Sequence, residues 1–263
     1  MINLVLAIVC SAGVSIFMRA SEKYCQGSYG ILLVNYVVCV LAGLAVTGRN
    51  LGQIGGAGTG TAVGFGVVTG ILYFGSFVLL QWNVKKNGVI LSSTMMKLGV
   101  IVPSVLAVVW FGEYPGWNQV IGIVFAIVAI LLINLDKGKM TGGKTYMAGL
   151  VLLLLGGGLG DSMAKFYDAY GKEELGSFFL MLSFFISGLF SAGLVIRNKE
   201  HVTRKEVLFG MLIGIPNYFS ACFLLWALSD IPAVIAYPTY SIVAMALIGV
   251  AGVLVFGERL SKK

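Results

Sequence analysis

The chain has 263 residues, of which 58% are apolar and 11% charged, and it carries a formal net charge of +7. Its mean hydropathy of +0.95 lies far above that of soluble globular domains and indicates an integral membrane protein. Because the basic residues fall in short loops and form no continuous face, the positive charge argues against a nucleic-acid partner.

Nine apolar stretches are each long enough to cross a bilayer as a helix. They predict an all-α polytopic membrane protein whose surroundings are the lipid bilayer and whose loops are too short to hold a soluble domain. The predicted spans, numbered in chain order, are 3–18, 29–47, 61–82, 88–111, 117–135, 146–166, 176–196, 207–228 and 232–256.

The second half of the chain repeats the first. The stretch GVVTG that begins at Gly66 returns 144 residues later as GMLIG, beginning at Gly210. After one inserted residue, the Phe-Gly-Glu sequence that ends at Glu113 matches the one that ends at Glu258. The paired glycines predict close helix packing in both copies. The two glutamates lie at span ends, where we expect them to be solvated or to cap a neighbouring helix.

Five helices in each unit place the second unit upside down relative to the first, an inverted repeat that is typical of secondary transporters. We expect one unit over residues 1–137 and the other over 138–263, with the second unit ending before its fifth helix. Fourteen of the 18 basic residues lie in the loops that follow helices 1, 3, 5, 7 and 9. By the positive-inside rule, these loops and the C-terminus are cytoplasmic and the N-terminus lies outside the plasma membrane.

These features resemble those of the EamA family of the drug/metabolite transporter superfamily. The resemblance is carried by the two five-helix units, by Val102-Pro103-Ser104 and the Phe-Gly-Glu sequence of helix 4, and by Trp117-Asn-Gln-Val-Ile-Gly122 at the start of helix 5. It implies a carrier that moves small organic solutes by alternating access, with a cavity lined by helices 1–4 and 6–9. Two expectations depart from the family: the N-terminus is predicted to lie outside, and no tenth helix is predicted, so that either the protein has nine helices or the chain is cut short. The resemblance leaves a homodimer open.

Lys97 is the strongest candidate for a site residue. It lies about nine residues into the fourth span, which at 1.5 Å per residue is roughly 13 Å deep and near the middle of a bilayer. A charge there costs at least about 2.5–3.5 kcal/mol on insertion scales, so we expect it to face a wet cavity or a partner. It either holds an anionic group of the substrate, titrates during transport, or forms a structural pair with Asp161.

Asp161 is the only acidic residue well inside a predicted span. It lies four residues before Lys165 on helix 6, so an intrahelical ion pair is one interpretation. In the other interpretation Asp161 faces the cavity and contributes to solute binding or proton coupling. The glycines at 156, 157, 158 and 160 let this helix bend or pack closely against a neighbour.

Polar side chains at matching places in both units complete the candidate substrate site. Binding sites are expected where helices are interrupted in both repeats, and Pro238 frees a backbone carbonyl in helix 9, in a stretch that aligns with residues 92–96 of helix 4. For the tyrosines and amides, the alternative is hydrogen bonding between helices. The predicted substrate-binding residues are Lys97, Asp161, Tyr237, Tyr240, Thr94, Asn35, Trp82 and Asn217.

No cluster of histidine, cysteine and carboxylate residues falls inside a span, and the four cysteines have neither metal-ligand nor redox spacing. We therefore expect no metal, no cofactor and no enzymatic activity. The sequence predicts a gradient-driven secondary transporter of a small polar organic metabolite. Two alternatives stay open: a proton-coupled exporter of cationic drugs, with Asp161 as its membrane carboxylate, and a non-transporting membrane scaffold.

Overall fold

A computed structural model of the chain describes residues 1–21, 24–25, 28–48, 52, 54–117, 120–121, 124, 128 and 146–254. The helices are α1 (Ile2–Ser21), α2 (Ser28–Thr47), α3 (Thr59–Asn87), α4 (Val89–Leu98), α5 (Ile101–Val109), α6 (Met147–Tyr170), α7 (Gly176–Arg197), α8 (Arg204–Asp230) and α9 (Ala233–Leu254). With α4 and α5 counted as one span, the described residues contain eight helices that are long and apolar enough to cross a membrane. The prediction of an all-α polytopic membrane protein is confirmed.

Some of the predicted features lie outside the described residues. They include most of the predicted fifth span, 117–135, the junction between the predicted units at residues 137 and 138, and Glu258. The boundary between the units therefore stays a prediction.

The fourth span breaks into α4 and α5 at Gly99. Pro103 contributes to this break, because proline has no N–H to donate to the Gly99 carbonyl one turn earlier. The Val102 N–H donates to that carbonyl instead, at 2.9 Å, which tightens the turn. In α9 the position that corresponds to Gly99 in the repeat is Ala244, and α9 runs through Pro238 without a break. Within the described residues, only one of the two matching spans is interrupted.

The two halves of the chain interlock rather than forming separate bundles. α1 packs against α8 and α9, α2 against α7 and α8, and α3 against α6 and α7. α4 and α5 both pack against α6, and α5 also packs along α9. In the repeat, α1 corresponds to α6, α2 to α7, α3 to α8 and α4–α5 to α9. When each helix is replaced by its repeat partner, the same set of principal contacts results; the contact of α1 with α8, for example, becomes that of α6 with α3. The packing of the described helices thus has a two-fold relation, as expected for two repeats.

Repeat-related glycines make the interlocked helices approach closely. A Cβ atom at Gly70 of α3 would lie 2.6 Å from the Ile186 Cβ of α7. At the related crossing, a Cβ atom at Gly214 of α8 would lie 2.7 Å from the Val38 Cβ of α2. Both crossings therefore need glycine, as the paired motifs predicted.

The ends of the described spans gather at two ends of the bundle. One is the Asn87 end, where Asn87 of α3 hydrogen-bonds Tyr146 at the start of α6. The other is the Glu113 end, where α5, α6 and α8 terminate and α9 begins. Basic residues gather at the Asn87 end: Arg19, Lys85, Lys86, Arg197, Lys199, Arg204 and Lys205.

Candidate functional site

Lys97 and Asp161 both have exposed side chains although each lies deep within the bundle, surrounded by protein. Lys97 is in the last turn of α4, just before the break, and Asp161 is in the second half of α6. Side chains that are exposed although helices surround them indicate an internal space, which we call the hollow. The two charges interact electrostatically, and among the described residues no ion pair joins them directly.

The two charges come together because the α4–α5 break packs against the glycine-rich part of α6. A Cβ atom at Gly99 would lie 3.1 Å from the Leu154 carbonyl oxygen and 3.2 Å from the Gly158 nitrogen. Only glycine permits this approach of two backbones. Lys97 lies two residues before the crossing on its helix and Asp161 three residues after it on the other, so one contact positions both.

Three tyrosines lie within electrostatic range of Asp161: Tyr73 of α3, and Tyr237 and Tyr240 of α9. Tyr237 is buried, and its hydroxyl donates to the Asp161 backbone carbonyl at 2.7 Å. The Tyr240 hydroxyl is hydrogen-bonded to the Ser220 hydroxyl at 2.9 Å. Phenol groups from both halves of the chain thus lie within electrostatic range of the carboxylate. A carboxylate with aromatic rings in its vicinity suits a cationic group.

Tyr73 is the residue of this site that the sequence analysis missed. It stands 144 residues before Asn217, so the internal repeat aligns it with a residue that was predicted for the site. The repeat therefore held a signal that points to Tyr73. Thr94 lies in α4 one turn before Lys97, and its side chain is outside the described part of the structure.

Asn35 and Asn217 lie at a different place, the crossing of α2 and α8. The Asn217 Nδ2 donates to the Asn35 Oδ1 at 3.1 Å, and the Cys39 Sγ lies 3.8 Å from the same oxygen. Asn35 is buried. Two amides that bond each other across a helix crossing satisfy the need for partners that polar groups have in lipid. The structure thus joins these two residues to each other rather than to Lys97.

Trp82 also lies apart from the two charges. It is near the Asn87 end of α3, where its ring packs edge-on against Tyr146 with centroids 6.0 Å apart. It also contacts α6 at Gly149, where a Cβ atom would overlap the indole ring. Gly149 and Asp161 are twelve residues apart on α6, which corresponds to about 18 Å.

Lys165 does not pair with Asp161, so that interpretation of the sequence is wrong. The Lys165 Nζ lies 3.2 Å from the Glu113 Oε1 and 3.2 Å from the Asp168 Oδ2. The other carboxylate oxygen of Glu113 accepts a hydrogen bond at 2.9 Å from the Val234 N–H in the first turn of α9. Glu113 therefore caps a neighbouring helix, one of the two roles expected of it. With Lys165 engaged elsewhere, Lys97 is the cation that interacts with Asp161.

The described residues contain no group of three or more His, Cys, Asp or Glu side chains that could hold a metal ion. What they do contain is a pair of interacting opposite charges deep in a helical membrane protein whose two halves interlock. A polar site between interlocked repeats is typical of membrane transporters.

Comparison with known proteins agrees with this class. The sequence model of the EamA-like transporter family matches residues 1–135, half of the chain, and the chain belongs to this family. This confirms the resemblance stated from the sequence. The model of the Small Multidrug Resistance protein family matches residues 178–263. An uncharacterized protein of Haemophilus influenzae is 23% identical over 267 residues, which cover 99% of this chain and 91% of that protein.

Proposed function

We propose that this protein is a gradient-driven secondary transporter of a small polar organic metabolite, which binds in the hollow between Lys97 and Asp161. The observation that carries the proposal is this pair of opposite charges, both exposed in the middle of the bundle. A charge at that depth is costly unless it is hydrated or partnered. Because the two charges interact without a direct ion pair, a solute can replace the partner of each: its anionic group can bind Lys97 and its cationic group Asp161.

The chemistry of the hollow favours a solute that carries both an anionic and a cationic group. Lys97 is a point charge that attracts a carboxylate or phosphate group. Asp161, with the rings of Tyr73 and Tyr240 nearby, suits an ammonium group. In this proposal the protein is a carrier and not an enzyme, and it uses no cofactor.

The basic residues at the Asn87 end support an orientation with that end in the cytoplasm of a cell whose plasma membrane holds the protein. The solute would then reach the hollow from each face in turn, as the interlocked halves change their packing. Coupling to a proton or solute gradient supplies the energy.

Uptake of pooled metabolites into proteoliposomes, followed by mass spectrometry, tests this function. We expect wild type to accumulate an anionic or zwitterionic solute. Uptake by Lys97→Met should be lower by a factor of at least about ten, because the substitution removes a charge that contacts the solute. Lys85→Met, which removes an exposed lysine at the Asn87 end, is the matched control. Equal uptake by wild type and Lys97→Met contradicts the proposed site. Absence of uptake by every variant favours the scaffold alternative.

A second candidate is a proton-coupled exporter of cationic compounds, which the match to the Small Multidrug Resistance family favours. Such a carrier needs a carboxylate within the membrane. In the matched part of the chain, the described carboxylates Glu200, Glu206 and Asp230 all lie at or beyond helix ends. Of the carboxylates in the described part of the chain, Asp161 would have to take this role, although it lies outside the matched residues. Efflux of a cationic dye that is lost in Asp161→Asn and kept in Lys97→Met would decide for this candidate.

A further inference from the structure

Four helix termini meet at the Glu113 end, and polar contacts join them. Lys165 of α6 forms an ion pair with Glu113, which follows α5. Glu113 in turn accepts a hydrogen bond from the Val234 N–H at the start of α9. Asp168, near the end of α6, accepts a hydrogen bond at 2.8 Å from the Ser229 hydroxyl in the last turn of α8. α5, α6, α8 and α9 are thus tied together through three charged side chains.

A second layer lies between these contacts and the hollow. Tyr237 is one turn further into α9 than Val234, and only 2% of its surface is exposed. Its hydroxyl reaches the backbone of Asp161, which is itself one turn deeper along α6 than Lys165. The path from Asp161 to the Glu113 end therefore meets first a buried tyrosine and then the ion pairs.

Toward the Asn87 end, the corresponding helices are not tied together in this way. α9 packs along α5, the half of the broken span that leads to Glu113. With α4, the half that carries Lys97, α9 makes at most marginal contact within the described part of the chain. α4 and α9 therefore diverge toward the Asn87 end, and the side chain of Lys97 between them is exposed.

We propose that Glu113, Lys165 and Asp168 form a latch that closes the hollow at the Glu113 end, and that this latch opens in the other state of the protein. All three side chains sit at helix ends and keep a little exposure, between 14% and 16%. If the helix ends part, each charge enters water at the membrane surface, where hydration replaces the ion pairs. The ion pairs therefore add little to the free-energy difference between the closed and open arrangements, as a reversible contact requires.

The latch is tested through the accessibility of the hollow, which needs no solute. In a chain whose cysteines at positions 10, 25, 39 and 222 are replaced by serine, Lys97→Cys provides a single thiol in the hollow. A charged, membrane-impermeant methanethiosulfonate is added to either face of oriented vesicles. We expect faster labelling from the Asn87 end. Glu113→Gln or Asp168→Asn should raise the rate from the Glu113 end about tenfold, within the usual range of coupled equilibria.

Two further variants separate the latch from a general loss of structure. Lys165→Arg keeps both ion pairs and should leave the labelling rates unchanged. Glu173→Gln removes an exposed carboxylate near the same end without touching the latch and is matched in charge to Glu113→Gln. The proposal is overturned if Glu113→Gln and Asp168→Asn, melting as the parent does, leave labelling from the Glu113 end unchanged. Labelling at equal rates from both ends of the parent also overturns it.

A covalent cross-link across the Glu113 end gives an independent test of the latch. This test can be made even if the latch variants fold poorly, because it leaves Glu113, Lys165 and Asp168 unchanged. Trp110 and Tyr170 bridge α5 and α6 beside the latch, with the indole Nε1 3.0 Å from the phenol oxygen. Cysteines at these two positions, joined by a short bifunctional thiol reagent, should stop any labelling from the Glu113 end and any solute uptake. Full-rate uptake by the cross-linked protein refutes the latch. The role of the latch in uptake rests on the proposed function. If the latch variants change the labelling rate but no variant takes up solute, the latch is supported and transport is rejected.

Discussion

Gly158 of α6 packs directly on the carbonyl oxygen of Gly99, with no room for a side chain between the two backbones. A Cβ atom at Gly158 would also lie 2.5 Å from the Cβ of Val102. Gly99 marks the break between α4 and α5, so this contact joins the interrupted span to α6 at the depth of the two central charges. The geometry of the candidate site depends on this crossing as much as on the charges themselves.

A methyl group at the crossing should therefore be destabilising. Gly158→Ala should lower the free energy of unfolding by about 1–3 kcal/mol through overpacking, even though alanine favours a helix by up to about 1 kcal/mol. Gly157→Ala is the matched control, because a Cβ there meets nothing nearer than the Met96 Cγ at 4.0 Å. Thermal unfolding in detergent compares the two variants. Equal melting temperatures would show that the crossing tolerates a side chain.

The hydroxyl of Tyr73 should contribute to solute binding. Tyr73→Phe keeps the ring and removes the hydroxyl near Asp161, so we expect the Kd of the transported solute to rise about 5- to 10-fold, the scale of one hydrogen bond. The melting temperature should not change. Tyr24→Phe, at the Asn87 end where the ring stacks on Phe209, is the control. Unaltered affinity in Tyr73→Phe would remove this residue from the site.

Asn35 and Asn217 should act as a structural pair. In a double-mutant cycle with leucine at each position, we expect a coupling of about 0.6 kcal/mol in stability, with an upper limit near 1.7 kcal/mol, as for other hydrogen bonds between membrane helices. Solute affinity should stay within a factor of about two, since neither amide is joined to the central charges. A large loss of affinity with stability intact would instead support the substrate contact predicted from the sequence.

Cys25, in the connection between α1 and α2, offers a test of orientation. Burial and the nearby Glu206 carboxylate raise the pKa of the Cys25 thiol. Because only the thiolate reacts, alkylation should be slow near neutral pH and rise about tenfold per pH unit below the raised pKa. An impermeant maleimide should label Cys25 from the cytoplasmic side alone, with Cys25→Ser showing the labelling of the other cysteines. Labelling from the outside would reverse the proposed orientation.

The helices could be predicted because a span needs about twenty consecutive apolar residues, a signal that survives any error in packing. Their ends were less accurate. The eighth predicted span, 207–228, corresponds to α8 from Arg204 to Asp230. Its first turn is polar and is held by a capping box between Thr203 and Glu206, which an apolar window does not detect.

Lys97 and Asp161 could be singled out because a charge in the membrane is costly whatever its neighbours are. The ion-pair partners of a charged side chain could not be predicted in the same way. Lys165 has a carboxylate four residues before it on its own helix, yet it pairs with Asp168, three residues after it, and with Glu113, 52 residues earlier in the chain. The pairing with Glu113 depends on how the end of α5 meets α6, and helix crossings are set by packing surfaces rather than by spacing along one helix.

The interlocked packing has a consequence for how the protein is made. The Ser220 hydroxyl of α8 donates to the Ala7 carbonyl of α1 at 3.0 Å, across 213 residues of chain. α1 therefore enters the membrane long before the ribosome has produced the helices against which it packs. The early helices must wait in lipid, each stable as a helix but without its neighbours. The packing of α1 is therefore a late event, and a substitution that weakens α8 or α9 leaves α1 without its principal contacts.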